Sequence, residues 1–327
     1  MTSAAGGSRG KRPGPAARAR QHLRRVPRSR PALVTALGMA GALAVAACSA
    51  PTPAARPASV APAVSTSRAT PSASAHATPS PPQPKPQPKV IISSFRAADG
   101  SVVTLGLFRG PVRYRLHSGS NDPGLAALSV VHAGPRIVGW EHRRLLAAFN
   151  GGFLLSAGAG GYEQEGHVIK PLRRGLASLV IDRSGTASIG AWGWSVPRPG
   201  EAVYSVRQNL RLLISHGHVN QAAADWTAWG ATLGGGESVA RSALGENAAG
   251  ELIYAASIST TPADLAAALL HAGARTAMEF DINPEWVQLD SAGAPGGGLS
   301  ADIPGQVRPA SQYLTGWTRD FITVLAP

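Results

Sequence analysis

The sequence predicts an α+β fold: a single domain on a mixed, largely antiparallel sheet with flanking helices, preceded by a disordered tether. Three observations point there. A hairpin, a helix and a strand follow one another from Ser238 to Asp281 in β-β-α-β order. Short apolar runs punctuated by glycine turns occupy much of the rest of residues 90–327. The first 89 residues have a composition that cannot support a core.

Taken in order, strands are expected at Val102–Phe108, at Val112–His117, and at Leu145–Phe149, which runs into Asn150-Gly151-Gly152-Phe153. Leu176–Asp182 and Thr186–Gly190 flank the turn Arg183-Ser184-Gly185 and read as a hairpin, as do Ser238–Leu244 and Glu251–Ile258 around Glu246-Asn247-Ala248-Ala249-Gly250. The helix is expected at Pro262–Ala272. Thr261 can cap it, Pro262 suits its first position, Asp264 sits three residues past the cap, and Gly273 can end it. Leu265, Leu269 and Leu270 should face inward. A strand at Thr276–Asp281 follows, and no internal repeat is evident.

The formal charge of +13 suggests a polyanion partner until it is divided along the chain. Residues 1–89 hold 13 Lys or Arg and no acid, whereas residues 90–327 hold 18 basic against 18 acidic side chains. The part able to fold is neutral, with no surplus of cations to displace counterions, so nucleic acid is a poor partner. The excess belongs to a basic segment with Arg24, Arg25, Arg28 and Arg30 ahead of the apolar run Ala32–Ala47. At 16 residues that run is short for a bilayer span and reads as a signal-peptide core, residues 1–47 being the export signal. It ends in Val45-Ala46-Ala47-Cys48, which resembles a bacterial lipobox, and Cys48 is the only cysteine. Lipidation of Cys48 would hold the protein on the outer face of the membrane; ordinary cleavage after the small residues would release it. From Ser49 to Lys89 the chain has 11 prolines and no acid, the composition of a disordered, partly polyproline II linker. Residues 48–89 are therefore the lipidated linker and 90–327 the functional domain.

The densest chemistry lies in Ala277-Met278-Glu279-Phe280-Asp281-Ile282-Asn283-Pro284-Glu285-Trp286. Strand alternation places Glu279 and Asp281 on one face. Paired carboxylates repel, so such a pair marks either a site where one acid keeps its proton, or a sheet face neutralised by a nearby arginine. Asn150-Gly151-Gly152 allows close backbone approach to a ligand, or is simply a tight turn. Arg207 with Asn209 can hold an anionic oxygen and a sugar hydroxyl. Arg241 falls within a strand, where desolvation demands a fixed anion: Glu279, Asp281 or a substrate phosphate. Asp281, Asn283 and Glu285 alternate oxygens and leave Ca²⁺ open as a cofactor, without the length or glycine of an EF-hand loop. His216-Gly217-His218 has no evident third metal ligand. No serine-esterase, zinc-protease or P-loop motif is present.

Five blocks in order resemble the phosphodiester glycosidase family: Asn150-Gly151-Gly152-Phe153, Arg207-Gln208-Asn209-Leu210, Trp229-Gly230-Ala231-Thr232-Leu233-Gly234, Arg241-Ser242-Ala243-Leu244-Gly245, and Gly273-Ala274 leading to the strand that ends in Asp281. Here Asp281 is followed by Ile282-Asn283-Pro284 where many members have glycines and serine, the pattern of a bacterial exported subgroup. The resemblance implies cleavage between a sugar anomeric carbon and a phosphodiester. It assigns carboxylate work to Asp281 and Glu279, the phosphate to Arg241 and Arg207, and further substrate contacts to Asn150, Gly151, Gly152, Asn209 and Asn283. The partner it implies is a carbohydrate or glycosyl-phosphate polymer; the rival is a lipoprotein that binds cell-wall polysaccharide without cleaving it.

Overall fold

The computed structural model describes residues 89–327. The expected export signal, Cys48 and, apart from Lys89, the linker lie outside the described residues. The fold is α+β, and its strands divide among three sheets in which every paired strand is antiparallel to its neighbour. The first sheet orders seven strands: Val90–Arg96, Val102–Phe108, Leu252–Thr260, Val239–Asn247, Ala274–Glu279, Leu212–Ser215 and His218–Val219. The second orders Leu299–Ala301, Leu289–Ala292, Leu145–Asn150, Phe321–Leu325 and Arg113–His117. The third orders His167–Lys170, Tyr162–Gln164, Val203–Gln208, Ala177–Asp182 and Ala187–Ala191.

The β-β-α-β unit lies at the centre of the first sheet. Leu252–Thr260 and Ala274–Glu279 both pair antiparallel with Val239–Asn247 between them, so they run parallel to each other and need a crossover. The helix Pro262–His271 supplies it. Thr261 Oγ1 accepts from the Asp264 amide at 3.1 Å and donates to its carboxylate at 2.7 Å. Leu265, Ala266, Ala268 and Leu269 are buried against the sheet, and Gly273, at φ +92°, ends the helix.

The main core forms where all three sheets meet, Leu179 and Ile189 of the third packing with Phe108 and Leu244 of the first and Phe149 and Ile322 of the second. Strand Leu145–Asn150 is buried at all six positions, so its run of apolar residues has no solvent face to alternate with. Phe149 stacks on Phe108 at 5.4 Å and meets Tyr254 at 5.0 Å and Phe280 at 6.2 Å, tying it to three strands or strand ends of the first sheet. Truncating such a ring to alanine typically costs about 3–5 kcal/mol.

Local pattern located the strands of both hairpins to within a few residues; it did not reveal that they belong to different sheets. Pairing is set by contacts far apart in sequence, such as Phe108 with Phe149, which period and turn chemistry do not encode. Val203–Gln208 and Phe321–Leu325 carry or adjoin buried charge, which conceals their strand character. The expected strand to Asp281 ends at Glu279, although its hydrogen bonding continues: Phe280 N–H donates to Ser242 O, and Ser242 N–H to Asp281 O. Among the described residues no helix is long and apolar enough to cross a membrane.

Candidate active site

Four strand ends converge on one region: the C-terminal ends of Leu145–Asn150, Val203–Gln208 and Ala274–Glu279, and the N-terminal end of Phe321–Leu325. Phe321 pairs with Asn150, which sets the Arg319-Asp320 dipeptide beside Gly151-Gly152. Gly151 N–H donates to Asp320 O at 3.0 Å, and a Cβ on Gly151 would lie 2.0 Å from Asp320 Oδ2. Only glycine allows that approach.

Asp320 clasps Arg207, with Nε to Oδ2 at 2.7 Å and Nη2 to Oδ1 at 3.3 Å. The guanidinium also donates to the carbonyls of Gln208 and Phe153. Burial opposes the charge on Arg207, but Asp320 outweighs it and the pKa is raised. Asn209 is equally committed. Its Nδ2 donates to the carbonyls of Glu279 and Phe280, and its Oδ1 accepts from Phe153 N–H. Asn150 uses its whole amide on the protein: Oδ1 accepts from Tyr254 Oη–H and Gln288 N–H, while Nδ2 donates to Gly151 O and Ser242 Oγ.

Arg241 and Glu279 pair at 2.8 Å with neither side chain exposed, and Arg241 also donates to Thr260 O. Of the partners open to Arg241 in the sequence, the fold supplies Glu279, and the pair is sealed away from solvent. Burial pushes the Glu279 carboxyl up against the pull of Arg241, and the nearby Asp281 adds to the rise. Its second oxygen, Oε2, is buried without a partner.

Asp281 has a different environment. Its Oδ1 accepts from Ile282 N–H at 2.8 Å and Asn283 N–H at 3.0 Å, and its Oδ2 accepts from Arg319 Nη2 at 3.1 Å. Arg319 also donates to Gly152 O at 2.9 Å and lies 5.0 Å over the Trp286 ring. Burial pushes Asp281 up to about 6, against the lowering effect of Arg319 and the two amides, with Asp320 adding to the rise. Asp122, 3.7 Å from Arg319 Nε, is also raised, by burial and then by Asp320. Two guanidiniums thus face three aspartates, an excess of one negative charge that favours holding a proton.

Asp281, Asn283, Arg319 and Trp286 line a cleft of about 220 Å³ whose apolar wall is Phe153, Leu154 and Ile282. Gly230, at φ +104°, lies against that wall, where a Cβ would sit 2.8 Å from Phe153 and 2.9 Å from Ile282. Asp281 and Asn283 therefore reach the cleft. Gly151, Gly152 and Arg207 lie immediately behind it. Asn150, Asn209, Arg241 and Glu279 form the buried frame. Of the alternating oxygens considered for Ca²⁺, those of Asp281 and Asn283 accept from their own turn amides, and Glu285 pairs with Arg308. Among the described residues no cluster of three or more potential ligands fits a metal.

Sequence reasoning missed Arg319, Asp320 and Asp122. The available signal was Arg319-Asp320 directly ahead of the apolar run Phe321–Leu325, the same charge-at-strand-end pattern that drew attention to Asp281.

No family model matches the sequence, and no curated protein matches it. Among solved structures the chain is similar to the zebrafish N-acetylglucosamine-1-phosphodiester alpha-N-acetylglucosaminidase catalytic domain, auto-inhibited by its pro-peptide, with a TM-score of 0.47 and 14% identity over 73% of this chain and 82% of that one. It is also similar to a hypothetical protein from Synechocystis, with a TM-score of 0.43 and 14% identity over 73% of this chain and 62% of that one. A third is a putative exported protein from Burkholderia pseudomallei, with a TM-score of 0.37 and 14% identity over 69% and 74% of the two chains. At such identities the likeness concerns the path of the backbone alone.

Proposed function

We propose that the protein is an extracytoplasmic hydrolase of sugar-1-phosphodiester bonds in glycopolymers, held to the membrane through a lipid on Cys48. The observation that carries the proposal is Asp281: a carboxyl pushed up to about 6 at the wall of a cleft, bonded to the Arg319 guanidinium. A carboxyl near that value exchanges a proton with a substrate oxygen around neutral pH. Arg319 offers the phosphate a cation, Trp286 offers a sugar ring a flat apolar face, and Asn283 supplies an amide for a hydroxyl. In the proposed reaction water adds across the bond from the anomeric carbon to oxygen, releasing free sugar and a phosphomonoester. The five sequence blocks support the same reading, since most of them belong to this cleft or its frame. Export and anchoring rest on the charge pattern of residues 1–47 and on Cys48.

One observation favours the rival reading of a wall-polysaccharide-binding lipoprotein: Asp281 is the sole carboxylate among the cleft-lining residues, whereas glycoside hydrolysis usually employs two. The test is incubation of residues 90–327 with a panel of sugar-1-phosphodiesters, with and without chelator. The hydrolase reading expects free sugar and a loss of at least about 100-fold in turnover for Asp281→Asn, and chelator sensitivity decides whether a divalent cation takes part. Binding of the panel without product would replace the hydrolase by the binder.

A further inference from the structure

A second cleft, of about 310 Å³, opens at the other end of the second sheet, where Arg113, Arg144 and Arg183 gather beside Trp140 and Tyr204. Among the described residues none of these three guanidiniums has a carboxylate partner. The acids of the cleft are already committed. Asp182 Oδ1 accepts from Ser184 N–H, Ser184 Oγ–H and Thr186 N–H in the hairpin turn. Glu165 accepts from Arg115 at 2.8 Å and from the amides of His132 and Ala133. Four arginines, Arg113, Arg115, Arg144 and Arg183, therefore line the cleft against Glu165 and Asp182, and positive charge is in excess there.

The surrounding structure shapes this cleft and holds one of the three guanidiniums, Arg183, against an aromatic ring. The hairpin turn docks on the edge strand through Tyr114 N–H to Gly185 O at 2.7 Å, and a Cβ on Gly185 would lie 2.8 Å from Arg113 Cβ. Arg183 stacks over Tyr204 at 4.9 Å, and Arg115 over Trp140 at 5.6 Å. Trp140 remains half exposed, an aromatic surface beside the guanidiniums with nothing packed over the rest of it.

We propose that this cleft is a binding site for an acidic oligosaccharide: the arginines take its charged groups and Trp140 takes the apolar face of a sugar ring. Residues 90–327 hold 18 basic against 18 acidic side chains, so the domain lacks the overall basic excess that a nucleic acid needs. The site is distinct from the Asp281 cleft. Leu325 lines the one and Arg319 the other, six positions apart along an extended chain, a separation of roughly 20 Å at ~3.3 Å per residue. It goes beyond the hydrolysis proposed above and does not depend on it.

The test is calorimetric titration of the full chain with tetragalacturonate, short-chain polyphosphate, neutral maltotetraose and a short DNA duplex. Tetragalacturonate is expected to bind with an affinity that weakens as salt rises, and maltotetraose is expected not to bind. The variant with Arg113→Ala, Arg144→Ala and Arg183→Ala should lose at least about tenfold in affinity. Arg183→Gln alone, an exposed turn residue, should lose about threefold and guards against a folding defect in the triple variant. Trp140→Ala should weaken tetragalacturonate but not polyphosphate, separating saccharide recognition from charge alone. Unchanged affinity in the arginine variants, equal binding of maltotetraose, or tighter binding of a DNA duplex would overturn the proposal. Asp281→Asn should bind tetragalacturonate as the wild type does; a matching loss there would move the ligand into the first cleft and overturn it too.

Discussion

The carboxylates of two arginine–carboxylate pairs lie two residues apart on one strand and its extension, and the pairs differ in access to water and in their further partners. Arg241 and Glu279 meet at 2.8 Å with neither side chain exposed, whereas Arg319 and Asp281 meet at 3.1 Å at a cleft wall with 5% and 6% exposure. The sealed pair has no face on the cleft. The open pair lines it. Position relative to the end of the strand separates the two carboxylates: Glu279 is the last residue of the strand, and Asp281 is the first carboxylate of the turn beyond it.

The largest expected effect tests the sealed side. Glu279→Ala leaves the Arg241 guanidinium buried and unpaired, which should cost about 3–5 kcal/mol in urea denaturation. Replacing both partners, as Arg241→Met with Glu279→Leu, should recover most of that loss, since the desolvation cost of both charges disappears together. At about pH 7.5, above the titration of Asp281, Asp281→Asn should cost only about 1 kcal/mol, because Arg319 retains Gly152 O, the nearby Asp122 and the Trp286 face. Equal losses from Glu279→Ala and Asp281→Asn would erase the distinction.

The next test uses pH. The folded Asp281 carboxyl titrates near 6 against an unfolded value of 3.8, so between these values the folded state binds the extra proton. Stability from this group is therefore complete below about pH 4 and is lost as pH rises through 6, a change on the order of 3 kcal/mol. The difference in denaturation free energy between wild type and Asp281→Asn should fall across that window and level off above it. If Asp281 acts as the proton donor, turnover should decline above about pH 6 as well. A flat difference from pH 4 to 7 would show that Asp281 is an ordinary solvated carboxylate.

A smaller effect is expected from Arg319→Lys, which keeps the charge but loses the planar guanidinium that lies over Trp286 and whose Nη2 donates to both Gly152 O and Asp281 Oδ2. Turnover on a sugar-1-phosphodiester should fall about tenfold, with stability changed by less than about 1.5 kcal/mol. A fully active lysine variant would mean that only net charge at the cleft matters.

The same contrast explains what the sequence disclosed and what it hid. Thr261, Pro262 and Gly273 announced the helix because capping and helix termination are local interactions. The acids at Glu279 and Asp281 stood out because charge in an apolar strand is costly wherever it folds. Their separate roles were not legible, since burial of Glu279 depends on Arg241 across the sheet, 38 residues away in sequence. Arg207 and Asn209 stood out because together they can hold an anionic oxygen and a sugar hydroxyl, and their hydrogen bonds go to Asp320, Phe153 and the strand end at Glu279-Phe280. Arg319 and Asp320 escaped notice because the strand that positions them is paired on both sides by distant segments and carries no turn signal of its own.

The smallest expected effect concerns Trp286, which lies beneath Arg319 at 5.0 Å and beside Arg308 at 5.9 Å. Trp286→Phe keeps an apolar ring there but weakens the cation–π attraction by about 0.5 kcal/mol and shortens the flat face turned toward the cleft. If the tryptophan holds a sugar ring in both ground and transition states, KM should rise two- to threefold with kcat unchanged, the signature of uniform binding. A fall in kcat at constant KM would instead make Trp286 a support for the Arg319 guanidinium in the transition state. The open pair would then extend to a third member, one that the sealed pair of Arg241 and Glu279 does not have.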